Sequence, residues 1–205
     1  MKQGQTTFPR KQGRTTISLL STLLVASCSS GPPPADWQLG AATSLAAFQK
    51  HYLEGDTRLA EAEFALAKSE IRKTGRADLL ARAELIRCAA RTASLEFDGC
   101  PGFEALRADA GGEEIAYADF LAGKRERSAA DEPLSRLVAA GVAMRSGKVT
   151  PMQITAAIDA ASAQGWRRPL LAWLEVEAKR AEAAGDREAA ERLRRRMALV
   201  TGTAR

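Results

Sequence analysis

The chain has 205 residues, enough for one domain with a short appendage. Apolar residues make up 45% and charged residues 27%, ordinary proportions for a globular protein. The net charge of +5 argues little for nucleic acid, because Lys2, Arg10, Lys11 and Arg14 carry most of the excess and residues 28–205 hold 26 basic and 25 acidic side chains. Aromatics are only 5%, so the core must be largely Leu and Ala, which leans the fold towards all-α.

Residues 2–14 are polar and basic, and residues 17–27 (ISLLSTLLVAS) form an apolar run that ends at Cys28. That order is the n-region and h-region of an export signal. The run is too short to cross a hydrocarbon core of about 30 Å as a helix. Val25-Ala26-Ser27-Cys28 resembles the lipobox of bacterial lipoprotein precursors. The resemblance implies that residues 1–27 are a signal peptide and that Cys28 takes a diacylglyceryl thioether and becomes the first mature residue. In that family an Asp after the cysteine retains the protein at the inner membrane. Ser29 therefore implies the periplasmic face of the outer membrane. An ordinary secretory signal with an incidental cysteine is the competing reading, and a cytosolic chain with an apolar N-terminus is a third.

Residues 28–35 form a tether that includes Pro32-Pro33-Pro34, a sequence that favours extended polyproline II. Its reach is roughly 25 Å at about 3.1 Å per residue, so a folded domain over 36–201 would sit close to its membrane. Residues 202–205 read as a tail.

From Asp36 onward the apolar spacing is helical. A first helix is expected over 36–54 with Asp36 as a possible N-cap, closed by Gly55. A second is expected over 57–74, capped by Thr57, with Ala60, Phe64, Ala67 and Ile71 inward. A third is expected over 77–97, with Leu79, Ala83, Ile86, Ala90, Ala93 and Phe97 on one side. A turn follows at 98–102, then short helices near 103–109 and 113–122 and a solvated loop at 123–132. Further helices are expected over 132–146, from Thr150-Pro151 to 164, from about Pro169 with Leu170, Trp173, Leu174 and Ala181 inward, and from the Gly185-Asp186 turn to about 200 with Ala189, Leu193, Met197 and Val200 inward. His51-Tyr52-Leu53-Glu54-Gly55-Asp56 followed by Ala60-x3-Phe64-x2-Ala67, and Ala181 to Asp186 followed by Ala189 and Leu193, resemble the tetratricopeptide repeat. That resemblance implies antiparallel hairpins stacked as a short solenoid; an irregular helical bundle fits the same pattern.

Cys88 and Cys100 are the cysteines that remain. In an oxidising compartment the pair reads as a disulfide, worth about 3 kcal/mol for a loop of this length in the chain-entropy model. Two free buried thiols or a metal pair are the alternatives, and a metal has only His51 to complete its ligands. His51 itself suits a helix C-terminus. No GxSxG, HExxH, P-loop or GxGxxG motif occurs, and no cofactor is indicated. Trp173 reads as core. Trp37, beside the tether, and Trp166-Arg167-Arg168, after Gly165, are the candidate partner-binding residues. Arg192, Arg194, Arg195 and Arg196 read as an outer face balanced by Glu188 and Glu191. The leading expectation is a non-enzymatic adaptor for another envelope protein, in the manner of accessory subunits of outer-membrane assembly or secretion machines. The alternative is an enzyme acting on peptidoglycan, or a regulator of one, built on paired carboxylates.

Overall fold

A computed structural model of the chain describes residues 33–127 and 130–203, so the signal-like segment and Cys28 lie outside the described residues. Among those residues the fold is all-α, with no strand. The helices are α1 (Asp36–Glu54), α2 (Thr57–Arg72), α3 (Ala77–Ala93), the single turn α4 (Pro101–Glu104), α5 (Gly112–Leu121), α6 (Pro133–Arg145), α7 (Pro151–Gln164), α8 (Arg167–Ala183) and α9 (Arg187–Thr201), with a 3-10 turn at Arg107–Asp109. No described helix is long and apolar enough to cross a membrane.

The two Gly-Asp turns use one local solution. Gly55 and Gly185 adopt positive φ (92° and 76°), which glycine alone tolerates without strain, and each donates back into its helix. Asp56 N–H then reaches the carbonyl of His51, and Asp186 N–H that of Ala181. The carboxylates of the same two aspartates cap the next helices, Asp56 accepting from Leu59 N–H at 3.0 Å and Asp186 from Ala189 N–H at 2.9 Å. Asp56 therefore fills the capping role expected of Thr57, which is the first helical residue. Asp36 likewise lies in the first turn of α1, with Ala35 at the cap position and Gln38 accepting from the Ala35 N–H. Thr150 caps α7 as expected, in a reciprocal pair with Gln153.

α3 is the centre of the packing, because its alanines let neighbours approach on more than one side. Ala83 and Ala90 face a cluster with Phe48, Tyr52, Leu53, Ala60, Phe64 and Ile71 of α1 and α2. Ala81, Leu85, Ala89 and Ala93 face a larger cluster with Phe103, Leu121, Leu137, Ile154, Ile158, Trp173 and Leu174. The expected inward residues of α2 and α8 are all buried. α3 packs on α6, α6 on α7, α7 on α8, and α8 returns to α1, which packs on α3. That closing contact is one a linear stack of hairpins does not make, so the arrangement is the irregular bundle.

α3 ends at Ala93, four residues before the expected boundary. Leu95 turns to φ 61° and the N–H groups of Leu95 and Glu96 bond back to Thr92 and Arg91. Phe97 consequently leaves the helix and is exposed, with the Arg145 guanidinium 5.6 Å from its ring centre. α8 begins at Arg167, two residues earlier than Pro169 suggests, with Trp166 in the N-cap position.

Candidate functional site

A groove of about 650 Å³ opens between α1, α3, α5 and α6. Its floor is the α3 stretch Leu85, Ile86 and Ala89, facing Leu134 and Val138 of α6. Tyr117 and Phe120 of α5 form one wall. Gln49, Arg82, Glu113, Glu114, Arg127 and Ser135 supply the polar lining. An apolar floor with a few polar groups around it is the usual make-up of a binding site of this size.

The rim is electrostatically organised. Arg82 Nε donates to Glu114 Oε1 at 2.9 Å, tying α5 to α3 across the groove edge. That hydrogen bond, with the helix-start backbone behind it, holds the Glu114 carboxyl below the usual carboxylate range. Burial pushes the Tyr117 phenol up, and the Arg127 guanidinium lies 5.2 Å from its ring centre. On the far side of α5, Arg107 bridges Glu104 (3.1 Å) and Asp119 (2.8 Å), bracing the wall from behind.

Cys88 and Cys100 lie within disulfide-bonding distance, with Cα atoms 5.7 Å apart. The Asp98 carboxylate is beside them, so the three potential ligand atoms fall within 4.8 Å of one another. Its charge is met within the chain, by Cys100 N–H at 3.0 Å and Arg91 at 3.1 Å. The pair pins the turn after α3, and hence the path into α4 and α5, back onto α3.

The expected partner-binding residues do not converge. Trp166 is half-buried and packs against both core clusters. Arg168 stacks 4.3 Å above the Tyr52 ring, donates to Tyr52 O at 2.7 Å and Thr57 Oγ1 at 2.6 Å, and pairs with Glu96 at 3.3 Å. Arg167 Nε donates to the Glu54 carbonyl at 2.8 Å. Both arginines thus donate to carbonyls at the C-terminal end of α1, that of Glu54 and that of Tyr52, which also accepts from the Gly55 N–H, as the helix dipole favours. Trp37 is half-buried at the opposite end of that helix, roughly 22 Å from Tyr52 at the helical rise per residue. His51 lies in the last turn of α1, as expected. In α9, Arg192 pairs with Glu188 and Arg194 with Glu182 of α8, which gives the arginine run internal partners.

The groove itself was not visible in the sequence. Its lining comes from five separated stretches between Gln49 and Val138, and Arg82 and Glu114 stand 32 residues apart. Comparison with known protein families, curated proteins and solved structures finds no match.

Proposed function

We propose that the chain is a lipid-anchored, non-enzymatic binding module of the bacterial envelope, held at the periplasmic face of the outer membrane through Cys28. Its task is to seat a short apolar segment of another envelope protein in the groove between α1, α3, α5 and α6. The observation that carries this reading is the groove's composition: an apolar floor of Leu85, Ile86, Ala89, Leu134 and Val138 beneath a rim whose nearest opposite charges, Arg82 and Glu114, neutralise one another. With Arg127 and Glu113 the lining charges sum to zero, so the groove favours an uncharged, apolar occupant. The arginine that holds Glu114 ionised also favours binding over acid catalysis, because a glycosidase acid needs its proton near neutral pH. The anchor rests on Val25-Ala26-Ser27-Cys28.

Photo-crosslinking in living bacteria tests the reading. A photoreactive residue at Gln49 or Ser135 is expected to give a discrete adduct, whereas Met152 and Leu199, both exposed and away from the groove lining, give none. Intact mass is expected to start at Cys28 with acyl chains. Equal labelling at all four positions defeats the groove, and an unacylated mature chain defeats the anchor.

A further inference from the structure

We propose that reduction of the Cys88–Cys100 pair opens this groove and releases its occupant, so that binding is coupled to thiol redox state; the inference rests on the groove being the binding site. The cysteine pair ties the floor helix α3 to the segment that leads into the wall helix α5. Cys88 is buried on α3 next to Ala89 and one turn beyond Leu85, which are floor residues. Cys100 immediately precedes α4, the start of the excursion that delivers Tyr117 and Phe120 to the wall. Among the described residues, α5 packs mainly on α3 and only lightly on α6. The C-terminal half of α5 is anchored by the buried Ala118, Phe120 and Leu121, whereas its N-terminal half, with Glu114 and Tyr117, rests on fewer ties: the half-exposed Arg82–Glu114 pair and, through the chain that leads into it, the buried Phe103 and the cysteine pair.

The backbone at the second cysteine is held where it would not rest by itself. Cys100 adopts a φ of 57°, the left-handed region that side-chain-bearing residues rarely occupy. A covalent tie at Cys100 keeps that conformation in place. Cutting it leaves the segment free to relax to ordinary dihedrals, and the α4–α5 excursion moves with it.

The exchange has a defined direction. Cys100 is half-exposed whereas Cys88 is buried, so a dithiol reductant attacks the Cys100 sulfur. The bond to Cys88 breaks and its sulfur leaves as a thiolate that takes up a proton. The second thiol of the reductant then attacks the mixed disulfide, freeing Cys100 as a thiol and leaving the reductant oxidised to its own disulfide. Two electrons and two protons pass to the protein.

The test uses the full mature chain and the uncharged apolar dye N-phenyl-1-naphthylamine as probe. In oxidised protein, Gln49→Trp, which fills the mouth of the groove, is expected to weaken dye binding; unchanged binding would show that the dye, and the groove reading with it, has failed. For the groove-dependent signal, complete reduction is expected to weaken binding about tenfold, within the usual range for coupled sites, and an effect of less than about twofold overturns the proposal. Amide exchange should rise over 112–117 while 151–164 and 167–183 stay protected. A uniform rise would reduce the pair to a stability element and also overturn the proposal. Cys88→Ser/Cys100→Ser should reproduce the weak state. Should that variant not fold, linkage still decides the matter in the wild type: the dye must make the pair harder to reduce by the same factor by which reduction weakens the dye.

Discussion

The indole Nε1 of Trp173 donates to the carbonyl of Ala93 at 3.1 Å, in a fully buried contact that joins the middle of α8 to the last residue of α3. The last four carbonyls of a helix have no partner within it, and a buried one must find a donor elsewhere. Trp173 supplies it across 80 residues of sequence while filling the core. Trp173→Phe keeps much of the volume but orphans that carbonyl, and should cost about 1–3 kcal/mol. Trp173→Ala adds a cavity and should cost about 3–5 kcal/mol. Urea unfolding followed by circular dichroism checks both, with the midpoint moving and the slope unchanged.

Two helical glycines should respond to alanine in opposite ways. A Cβ at Gly141 would lie under 3.0 Å from the Thr92 carbonyl oxygen, a backbone atom that cannot swing aside. Gly141 is what lets α6 cross α3 closely. Gly141→Ala should therefore destabilise by about 1–3 kcal/mol despite alanine's better helix propensity. At Gly40 the nearest atom is Glu70 Cγ at 3.2 Å, part of a flexible and partly exposed side chain. Gly40→Ala should be neutral or stabilise by up to about 1 kcal/mol. Thermal melts of the two variants side by side suffice.

These contacts mark the boundary of what the sequence discloses. The α2 stripe of Ala60, Phe64, Ala67 and Ile71 could be read directly, because one face of a regular helix is buried against its hairpin partner and the period survives in the residues. The Gly-Asp turns could be read for the same local reason. The end of α3 could not, since Arg91 to Leu95 contain no breaker and the stop depends on Trp173 claiming Ala93. Arg167 and Arg168 read as candidate partner-binding residues because the distant end of α1 that they serve leaves no trace in their own neighbourhood. The groove is a tertiary object of the same kind: α3 is small and apolar on several sides, so no periodicity distinguishes its groove-facing residues from its core-facing ones.

Tyr52 makes a pH prediction. Its hydroxyl is buried without a hydrogen-bond partner. Burial, reinforced by the neighbouring Glu96, pushes its titration well above the ordinary phenol value near 10. The folded state therefore holds a proton that the unfolded chain releases. The contribution is fully present below about pH 10 and declines as pH rises above it towards the folded value. Tyr52→Phe keeps the ring beneath Arg168 and removes the unpaired hydroxyl. It should be neutral or slightly stabilising at pH 7, and its stability should fall less steeply than the wild type's between about pH 10 and 11.5. A melting series across that range decides it, and equal slopes would show that Tyr52 is solvated in solution.

Arg168 separates a structural role from a partner-binding one. Its three guanidinium nitrogens go to the Tyr52 carbonyl, Glu96 and Thr57, and its plane covers the Tyr52 ring, so the side chain locks α8 to the end of α1. A lysine carries the charge but lacks the planar fork, and can satisfy only part of that set. Arg168→Lys should cost about 1.5–3 kcal/mol, the range for hydrogen bonds to charged groups. Arg167, whose side chain is exposed and makes a single backbone contact, should tolerate Ala within about 0.5 kcal/mol. Below the melting temperature of the Arg168→Lys protein, the crosslink from Ser135 in the groove should be undiminished in both variants, because neither arginine lines it. Gln49→Trp should give the converse result, an unchanged melting temperature with the crosslink lost. If Arg167→Ala abolishes the crosslink while leaving the melt alone, the binding surface is the α1–α8 junction and the groove assignment must be given up.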